Sequence, residues 1–335
     1  MADGGRLRVT IAVPTYLRPG DLRVLLPMLC AQAEEVRTTH GANYDVDLLV
    51  VDNDPHGSGA AAVQELAEPR LRYVVEEHPG ISAVRNRALD ECAGSDLLAF
   101  IDDDERPLDG WLEYLLVTWQ QTTPAAVSGR VVAEYDGILD PWIAAGEFFR
   151  RRSMRTGSEI QVAAAGNLLL DLRQVRTIGV RFANDLGLSG GEDTLFSRLL
   201  VRGGGRMVWC NESVISDQVP AARMTRQWVL KRAWSHGNSA TVVEIRLAQG
   251  RGWMVRIREF FRGAVRILGG ATRFLLGYVM RSLRHQARGL RVVYRGAGMI
   301  SGARGVVFQE YARDGGKQQA ASVRRRRRVT RETER

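Results

Sequence analysis

Four consecutive acids, Asp102 to Glu105, follow directly behind the apolar run 97–101. Carboxylates held within a few ångströms raise one another's pKa unless a cation lies between them. No His or Cys stands nearby, and an all-oxygen site favours Mg²⁺ or Mn²⁺, which one or two carboxylates commonly hold together with water and substrate phosphates. The cluster therefore indicates a metal and phosphate site. A solvated acidic turn after a strand is the alternative, and the cluster alone does not distinguish the two.

The acid cluster ends the last of four apolar runs that we interpret as buried strands. The runs cover residues 7–13, 46–51, 71–75 and 97–101. Helical segments, one of them at 22–37, separate the runs, which indicates an α/β fold with a mostly parallel sheet and helices on both faces. Ligands of such sheets bind beyond the carboxyl ends of the strands. The polar residues of this chain collect at those ends.

The groups at the four strand ends suit a nucleotide diphosphate. The first loop carries Pro14, Tyr16 and Arg18. The second strand ends at Asp52, and a helix after the third strand carries Arg85. A carboxylate can accept hydrogen bonds from a base or a ribose, and a guanidinium can pair with phosphate oxygens. Each feature alone is compatible with a turn or a solvated arginine, but their occurrence at consecutive strand ends favours a nucleotide site.

Four motifs occur in order along this region. They are Val13-Pro14-Thr15-Tyr16-x-Arg18-Pro19, Val51-Asp52-Asn53-Asp54-Pro55, Gly80-Ile81-Ser82-Ala83-x-Arg85-Asn86 and Phe100 to Glu105. Over residues 7–240 the chain resembles the family 2 glycosyltransferases of the GT-A fold, and within them the bacterial exopolysaccharide glucosyltransferases of the succinoglycan type. The resemblance implies an inverting hexosyl transfer from a UDP-sugar to a saccharide acceptor.

The resemblance also implies a role for each motif residue. Asp104 would hold Mg²⁺ or Mn²⁺, Asp102 would touch the metal or the ribose, and Asp103 belongs with the nucleotide-sugar contacts. The first-loop residues would surround the base, Asp52 would contact uracil, and Arg85 would lie on the phosphate side. The chain departs from many relatives at Asn53-Asp54-Pro55, where they carry Asp-Gly-Ser or Asp-Asn-Ser after the second strand.

A second acid pair, Glu192 and Asp193, follows Ser189-Gly190-Gly191 and precedes a predicted helix at 194–202. The positive end of a helix dipole keeps a carboxylate ionised, as a resting base should be. The same residues could simply cap the helix. The resemblance implies that Asp193 is the base and that Glu192 orients the acceptor or the base. It also implies a single displacement, since no second nucleophilic carboxylate is suggested.

A further predicted helix, from about residue 224, carries Trp228, Arg232 and His236 at four-residue spacing on one face. In the family that this chain resembles, a Trp and basic residues after the acid pair often close over the acceptor and the pyrophosphate. We therefore treat the three residues as candidate acceptor contacts. A histidine at such spacing is more often packed in a core than catalytic, and that alternative stays open.

The formal charge of +9 is concentrated after about Arg223. On a helical projection, nine arginines between residues 258 and 295 fall within an arc of roughly 140°, with the apolar residues largely opposite. This predicts a basic amphipathic helical region, 241–313, that lies on an anionic membrane. The alternative is a helical pair that packs its apolar face on the catalytic domain. A disordered polybasic tail, 314–335, is also expected; nucleic acid could bind it, but no zinc-finger or RNA-binding motif favours that partner.

Domain organisation and location follow from these features. We predict a GT-A domain at 1–240, with a nucleotide-binding half at 7–105 and an acceptor half at 106–240. No signal peptide and no spanning segment of roughly 18 apolar residues is evident, and three scattered cysteines suit a reducing cytosol. The expected location is cytoplasmic and peripheral, at the inner face of the membrane, where the resemblance implies an acceptor on a polyprenyl diphosphate.

Two rival functions are weighed against glycosyl transfer. A sugar-phosphate nucleotidyltransferase usually carries a glycine-rich first loop with arginine and lysine, whereas the first loop here, 14–20, has one arginine and no lysine. A noncatalytic membrane-associated scaffold with the same fold has no need for an acid cluster that costs electrostatic self-repulsion. Both rivals are therefore less consistent with the sequence.

Overall fold

The computed structural model describes residues 5–248 and 250–308 of the 335-residue chain. Its first half alternates strands with helices, as the four apolar runs predict. The elements are β1 (Leu7–Thr15), α1 (Pro19–His40), β2 (Tyr44–Asp52), α2 (Ala60–Leu66), β3 (Leu71–Val75), α3 (Ile81–Glu91) and β4 (Leu97–Phe100). Helix α1 begins earlier than predicted because Pro19 lies in its first turn, where an N–H group has no helical partner to lose.

The second half of the sheet region is less regular. Its elements are β5 (Glu105–Pro107), α4 (Trp111–Thr122), β6 (Ala126–Tyr135), α5 (Pro141–Gly146), β7 (Leu168–Asp171), α6 (Leu172–Ile178), α7 (Glu192–Arg202) and β8 (Met207–Val219). A 3₁₀ turn at Ala165–Asn167 precedes β7. Gly166 and Asn167 favour a turn over an extended strand, so β7 begins only at Leu168.

Eight strands of the described chain form one sheet in the order β3-β2-β1-β4-β7-β6-β8-β5. The first four strands along the chain are parallel, which brings the ends of β1, β2 and β4 to the same edge. Strand β7 is antiparallel to its neighbours, and β5 is antiparallel to β8. Of the seven pairings among described residues four are parallel, so the predicted mostly parallel sheet is confirmed.

Helices cover both faces of this sheet, as predicted. On one face Ile11 of β1 packs in a cluster with Leu25 of α1 and Trp111 of α4. On the other face Phe100 of β4 packs in a cluster that contains Phe196 of α7. All five side chains are buried. The strands are therefore enclosed by apolar layers, and their polar ends are held in fixed positions.

The acid cluster forms the link between two distant strands. Strand β4 lies inside the sheet and ends at Phe100, whereas β5 lies at the sheet edge and begins at Glu105. The pairing of Glu105 with Asp217 holds β5 against β8. Both ends of the acidic segment are thus anchored, and its three aspartates span the gap between two parts of the sheet.

Three helices follow the sheet: α8 (Arg226–Leu247), α9 (Gly252–Val279) and α10 (Leu283–Ala303). Helix α8 runs through residue 240, where the sequence analysis ends the GT-A domain, because residues 238–243 include no helix breaker. Within the described part of the chain, no helix combines the length and the apolar character needed to cross a membrane. The predicted tail, 314–335, lies outside the described residues.

Helices α9 and α10 contact each other through glycines at seven-residue spacing, which are Gly263, Gly270 and Gly277 on α9 and Gly289 and Gly296 on α10. A Cβ atom at Gly270 would lie 2.8 Å from the carbonyl oxygen of Gly289, and one at Gly263 would lie 2.8 Å from that of Gly296. The two backbones leave no room for a side chain between them. Helix α9 therefore meets α10 with its glycine side, and Ile267 of α9 lies beside Gly296 in the same contact.

We expect Gly270→Ala to lower the free energy of unfolding by about 1–3 kcal/mol, because the new methyl group meets the backbone of α10. Gly269→Ala is the matched control, since nothing lies within 4 Å of a Cβ at that position. There alanine should raise the free energy of unfolding by about 0.5–1 kcal/mol through its helix propensity. Equilibrium denaturation in guanidinium chloride measures both, and effects of the same sign and size would contradict the close helix packing.

Candidate active site

The three aspartates of the acid cluster differ in exposure. The side chains of Asp102 and Asp104 are 34% and 24% exposed, whereas that of Asp103 is only 7% exposed. The first and third acids are accessible to a ligand, and the second is not. Asp102 and Asp104 are the predicted metal pair, and that role stays a prediction.

The buried Asp103 holds the first loop in place. Its carboxylate accepts hydrogen bonds from the Thr15 hydroxyl at 2.8 Å and from the Arg18 guanidinium at 2.7 Å. Burial raises the pKa of Asp103 to about 6, although the charge of Arg18 opposes the shift. The sequence analysis groups Asp103 with the nucleotide-sugar contacts. Its position favours an indirect role, in which it holds Arg18 and the loop in place.

Asp104 lies between two arginines from distant parts of the chain. Its Oδ2 atom is 2.9 Å from the guanidinium of Arg18 and 3.4 Å from that of Arg223. Arg223 comes 119 residues after Asp104, in the short turn before α8, and no motif connects the two positions in the sequence. The sequence analysis missed Arg223 for that reason.

The fourth acid, Glu105, is buried behind the aspartates. Its Oε2 atom accepts a hydrogen bond from the backbone N–H of Asp102 at 3.0 Å. Burial and, after it, the negative charge of Asp102 raise the pKa of Glu105 well above its usual range. The region thus concentrates negative charge, which a bound cation would relieve.

The accessible acids fit a divalent metal that binds together with phosphate. Among the described residues, no three His, Cys, Asp or Glu side chains are grouped so that they could hold a metal ion by themselves. Mg²⁺ and Mn²⁺ do not require such a group, because one or two carboxylates commonly share the ion with water and substrate phosphates. Asp102 and Asp104 supply that smaller set of donors.

The first-loop residues lie at the same sheet edge as the acid cluster. Pro14 is still within β1, where it is paired with Val51 of β2. Tyr16 follows the strand and is partly buried, and Arg18 is bound to the acids as described. Between them, the exposed Leu17 has a φ of 55°, a left-handed value that gives the loop its sharp turn.

Asp52 organises the loop after β2. The residue is fully buried, and its carboxylate accepts hydrogen bonds from the N–H groups of Asp54 and Gly59 at 2.9 and 2.7 Å. The Tyr73 hydroxyl donates a third bond at 2.8 Å. The carboxylate is therefore occupied by its own surroundings, and its predicted contact with uracil stays a prediction.

Asn53 completes the same loop, which the sequence analysis noted as a departure from the family pattern. Its side-chain amide donates to the carbonyl oxygens of Glu76 and His78, both at 2.7 Å. Its Oδ1 atom accepts from the N–H of Gly80 at 2.8 Å. Side-chain hydrogen bonds thus join the end of β2 to the segment that leads into α3.

Arg85 of α3 is the buried link between the acid cluster and α7. Its side chain is 5% exposed and donates to Glu192 Oε1 at 2.7 Å and to Asp102 Oδ1 at 3.2 Å. The guanidinium also lies 5.7 Å from the centre of the Phe182 ring. Two carboxylates already share its charge, and the predicted phosphate contact of Arg85 stays a prediction.

Helix α7 begins at Glu192, two residues before the predicted start. Gly190 and Gly191 have φ values of 77° and 93°, which glycine adopts without strain, and they turn the chain into the helix. Burial and the charge of Asp193 raise the pKa of Glu192 to about 7. Asp193 is partly exposed and follows Glu192, which shares Arg85 with Asp102. The predicted base therefore lies in the same site as the predicted metal ligands.

The candidate acceptor residues lie along α8. The Trp228 ring stacks on Phe149 with 6.0 Å between ring centres, and His236 is exposed. Arg232 is partly buried on the same helix. The ion pair that joins this part of the chain to the acid cluster comes from Arg223, just before the helix. The acceptor role of Trp228, Arg232 and His236 stays a prediction.

We expect Arg85→Met to lower the free energy of unfolding by about 3–5 kcal/mol, because Glu192 and Asp102 then lose the cation they share. The deficit should grow as the pH rises, since Glu192 already has a pKa of about 7 with Arg85 in place and a carboxyl group that holds its proton in the folded state loses stability on ionising.

The matched control is Arg87→Met on the same helix. The Arg87 side chain is 41% exposed and pairs with Glu91 at 2.8 Å, and pairs near the surface contribute about 0–1 kcal/mol. Denaturant titrations at several pH values measure both variants. A loss at Arg85 no larger than the loss at Arg87 would show that the buried pair has no structural importance.

Comparison with known proteins gives a family match. The family model described as glycosyl transferase family 2 matches residues 10–174. The succinoglycan biosynthesis protein ExoM of Rhizobium meliloti is 34% identical over 236 residues, which is 70% of this chain and 74% of that protein. The region matched by the family model, residues 10–174, contains the first loop, the acid cluster and Arg85.

Solved structures share the fold. The mannosyltransferase PcManGT from Pyrobaculum calidifontis, solved in complex with GDP-Man and Mn²⁺, has a TM-score of 0.60 at 17% identity and covers 89% of this chain and 87% of its own. Residues 1–349 of TarS from S. aureus have a TM-score of 0.50 at 14% identity, with 90% and 92% covered. At these identities the likeness shows the fold alone, which is of the GT-A type. The shared fold, the family model and the identity to ExoM together show that the chain belongs to glycosyl transferase family 2.

Proposed function

We propose that this chain transfers a sugar from a nucleotide diphosphate donor, a UDP-sugar, to a saccharide acceptor, with a divalent metal and with inversion at the anomeric carbon. One observation carries the proposal: Arg85 joins Asp102 of the acid cluster to Glu192 at the start of α7. A single buried side chain therefore links a carboxylate proposed for the donor side to a carboxylate proposed for the acceptor side.

The names of similar proteins support the substrate class. ExoM is a succinoglycan biosynthesis protein, PcManGT was solved with GDP-Man and Mn²⁺, and TarS 1–349 was solved with UDP-GlcNAc. These names favour a nucleotide-sugar donor, a divalent metal and a role in exopolysaccharide biosynthesis for this chain.

On the donor side, Asp102 and Asp104 would hold Mg²⁺ or Mn²⁺. The bound ion would supply positive charge for the departing nucleotide diphosphate. Arg18 and Arg223 pair with Asp104, and each guanidinium has further N–H donors that suit phosphate oxygens. These arginines would orient the diphosphate beside the acids.

On the acceptor side, Asp193 takes the proton of the acceptor hydroxyl as its oxygen attacks the anomeric carbon. The bond from that carbon to the diphosphate oxygen breaks on the opposite face, so the configuration inverts. Asp193 lies in the first turn of α7, and the positive end of a helix dipole interacts favourably with a carboxylate. Glu192, fixed by Arg85, orients the base or the acceptor.

The proposal extends to an acceptor carried on a polyprenyl diphosphate at the inner face of the membrane. Helix α9 turns its glycines toward α10 and leaves large apolar residues exposed, among them Phe261 at 64% and Leu268 at 70%. This arrangement disfavours the alternative in which the apolar face packs on the catalytic domain. An exposed apolar face flanked by arginines suits a peripheral position on an anionic membrane.

The products distinguish this function from the two rivals. A glycosyltransferase releases a nucleoside diphosphate from a nucleotide sugar. A sugar-phosphate nucleotidyltransferase releases pyrophosphate from a nucleoside triphosphate, and a noncatalytic scaffold releases neither. A screen of UDP- and GDP-sugars with lipid-linked saccharides, with both products measured, tests the three functions together.

We expect Asp193→Asn to reduce sugar transfer by about a hundredfold or more, since an amide cannot take the hydroxyl proton. Binding of the nucleoside diphosphate should be unchanged, which calorimetry measures. Asp185→Asn is the control, because Asp185 lies in the preceding turn and pairs on the surface with Arg246. Near-native transfer by the Asp193 variant would remove it from the role of base.

We expect a chelator to abolish transfer and added Mg²⁺ or Mn²⁺ to restore it. Asp104→Asn should weaken the binding of Mn²⁺ in the presence of nucleoside diphosphate, because it removes one of two accessible carboxylates. Electron paramagnetic resonance of Mn²⁺ measures this without an activity assay. Undiminished transfer in excess chelator would rule out the metal.

A further inference from the structure

A second basic site lies away from the acid cluster, between the end of α5 and the α9–α10 hairpin. It is an open cavity of about 360 Å³. Its charged lining consists of Arg150, Arg273, Arg284, Arg288, Arg291 and Glu147. Three separate parts of the chain supply these side chains, so the cavity exists only in the folded protein.

The charges in this cavity are not balanced. Glu147 forms ion pairs with Arg288 at 2.6 Å and with Arg150 at 3.1 Å. Among the described residues, no carboxylate lies within ion-pair distance of Arg273, Arg284 or Arg291. The cavity therefore holds several guanidinium groups around one carboxylate.

Arg291 is held in the cavity wall by contacts that do not neutralise it. It donates a hydrogen bond to the backbone carbonyl of Glu147 at 3.2 Å and lies 5.6 Å from the centre of the Phe148 ring. Burial and the charge of Arg288 lower the pKa of Arg291 from its usual range. Like charges gathered in this way repel one another, and an anion bound between them would relieve the repulsion.

The chemistry of the lining indicates a phosphate group. Guanidinium groups donate paired N–H bonds in a planar fork that matches phosphate oxygens, and several forks can share one tetrahedral anion. The mixed origin of the arginines, from α9, α10 and the segment after α5, suits an anion that enters between these elements.

The surface beside the cavity indicates that this phosphate belongs to a lipid. Arg273 and Arg284 lie on either side of the turn between α9 and α10. The last turn of α9 exposes Leu276 and Val279, and the connecting turn exposes Met280. A soluble anion or a nucleic acid bound in the cavity would leave these apolar side chains exposed to water. An anionic lipid has both a phosphate for the arginines and acyl chains for the apolar turn.

We propose that the cavity lined by Arg273, Arg284, Arg288 and Arg291 binds the phosphate of an anionic membrane lipid, with the acyl chains alongside the exposed turn of the α9–α10 hairpin. The inference rests on the membrane position included in the proposed function. It goes beyond that function, because it gives the protein a lipid-phosphate site separate from the donor site.

Flotation with vesicles tests the proposal on the whole chain. The vesicles contain phosphatidylcholine alone or with phosphatidylglycerol. The cavity variant combines Arg273→Gln with Arg284→Gln. The charge-matched control combines Arg262→Gln with Arg266→Gln, two arginines of α9 that neither line the cavity nor lie in the α9–α10 turn. Circular dichroism and thermal melting establish that each variant is folded.

We expect the cavity variant to bind mixed vesicles about tenfold more weakly than the native protein, and the control about twofold to threefold more weakly. Equal losses would mean that net charge alone attracts the membrane and would overturn the site. Tighter binding of inorganic pyrophosphate or of a short RNA than of mixed vesicles, lost in the cavity variant, would overturn the lipid as the ligand.

A parallel assay separates this inference from the proposed function. Release of nucleoside diphosphate with a soluble saccharide acceptor should be the same in the cavity variant and the native protein. Normal release combined with equal vesicle losses would reject the cavity site alone. The opposite outcome is that the native protein releases no nucleoside diphosphate while only the cavity variant loses vesicle binding. That outcome would reject the proposed function and support the lipid site.

Discussion

One buried guanidinium, that of Arg85, determines how the site is put together. The side chain comes from α3, and its two carboxylate partners come from the β4–β5 link and from the first turn of α7. Two carboxylates close to each other in a poorly solvated place repel strongly unless a cation separates them. The position of α7 against the sheet is therefore set by charge as well as by the stacked rings of Phe182 and Phe196, 4.2 Å apart. The surrounding packing keeps this arrangement rigid.

The N-terminal part of the sheet, β1 to β4, could be predicted because its strands are buried on both faces. Such strands read as continuous apolar runs, and the residues that follow them must lie at one sheet edge. This route led to Asp102, Asp104, Arg18 and Asp52 as candidate site residues. The sequence could not show which acids of the cluster are exposed, since that depends on Thr15 and Arg18 binding the middle one.

The rest of the structure could not be predicted from the sequence, because it depends on a very short strand and on contacts between residues far apart in the chain. Strand β5 has three residues and pairs with β8, and its own sequence does not indicate that partner. Arg223 reaches Asp104 from a turn without any motif. For the C-terminal helices, a helical projection separates an arginine face from an apolar face but gives no information about glycine. Helix α9 has a third face, formed by Gly263, Gly270 and Gly277, and it contacts α10 through that face.

The place of the acid cluster between β4 and β5 also has a consequence for the order in which the protein can form. A chain that grows from its N-terminus can pair β1, β2, β3 and β4 once about the first hundred residues have emerged. The far anchor of the cluster is β8, at Met207–Val219, and Arg223 follows it. The region matched by the family model, 10–174, ends before both. A fragment of that extent would carry the acids without the strand that fixes them, so the site is completed only late in synthesis.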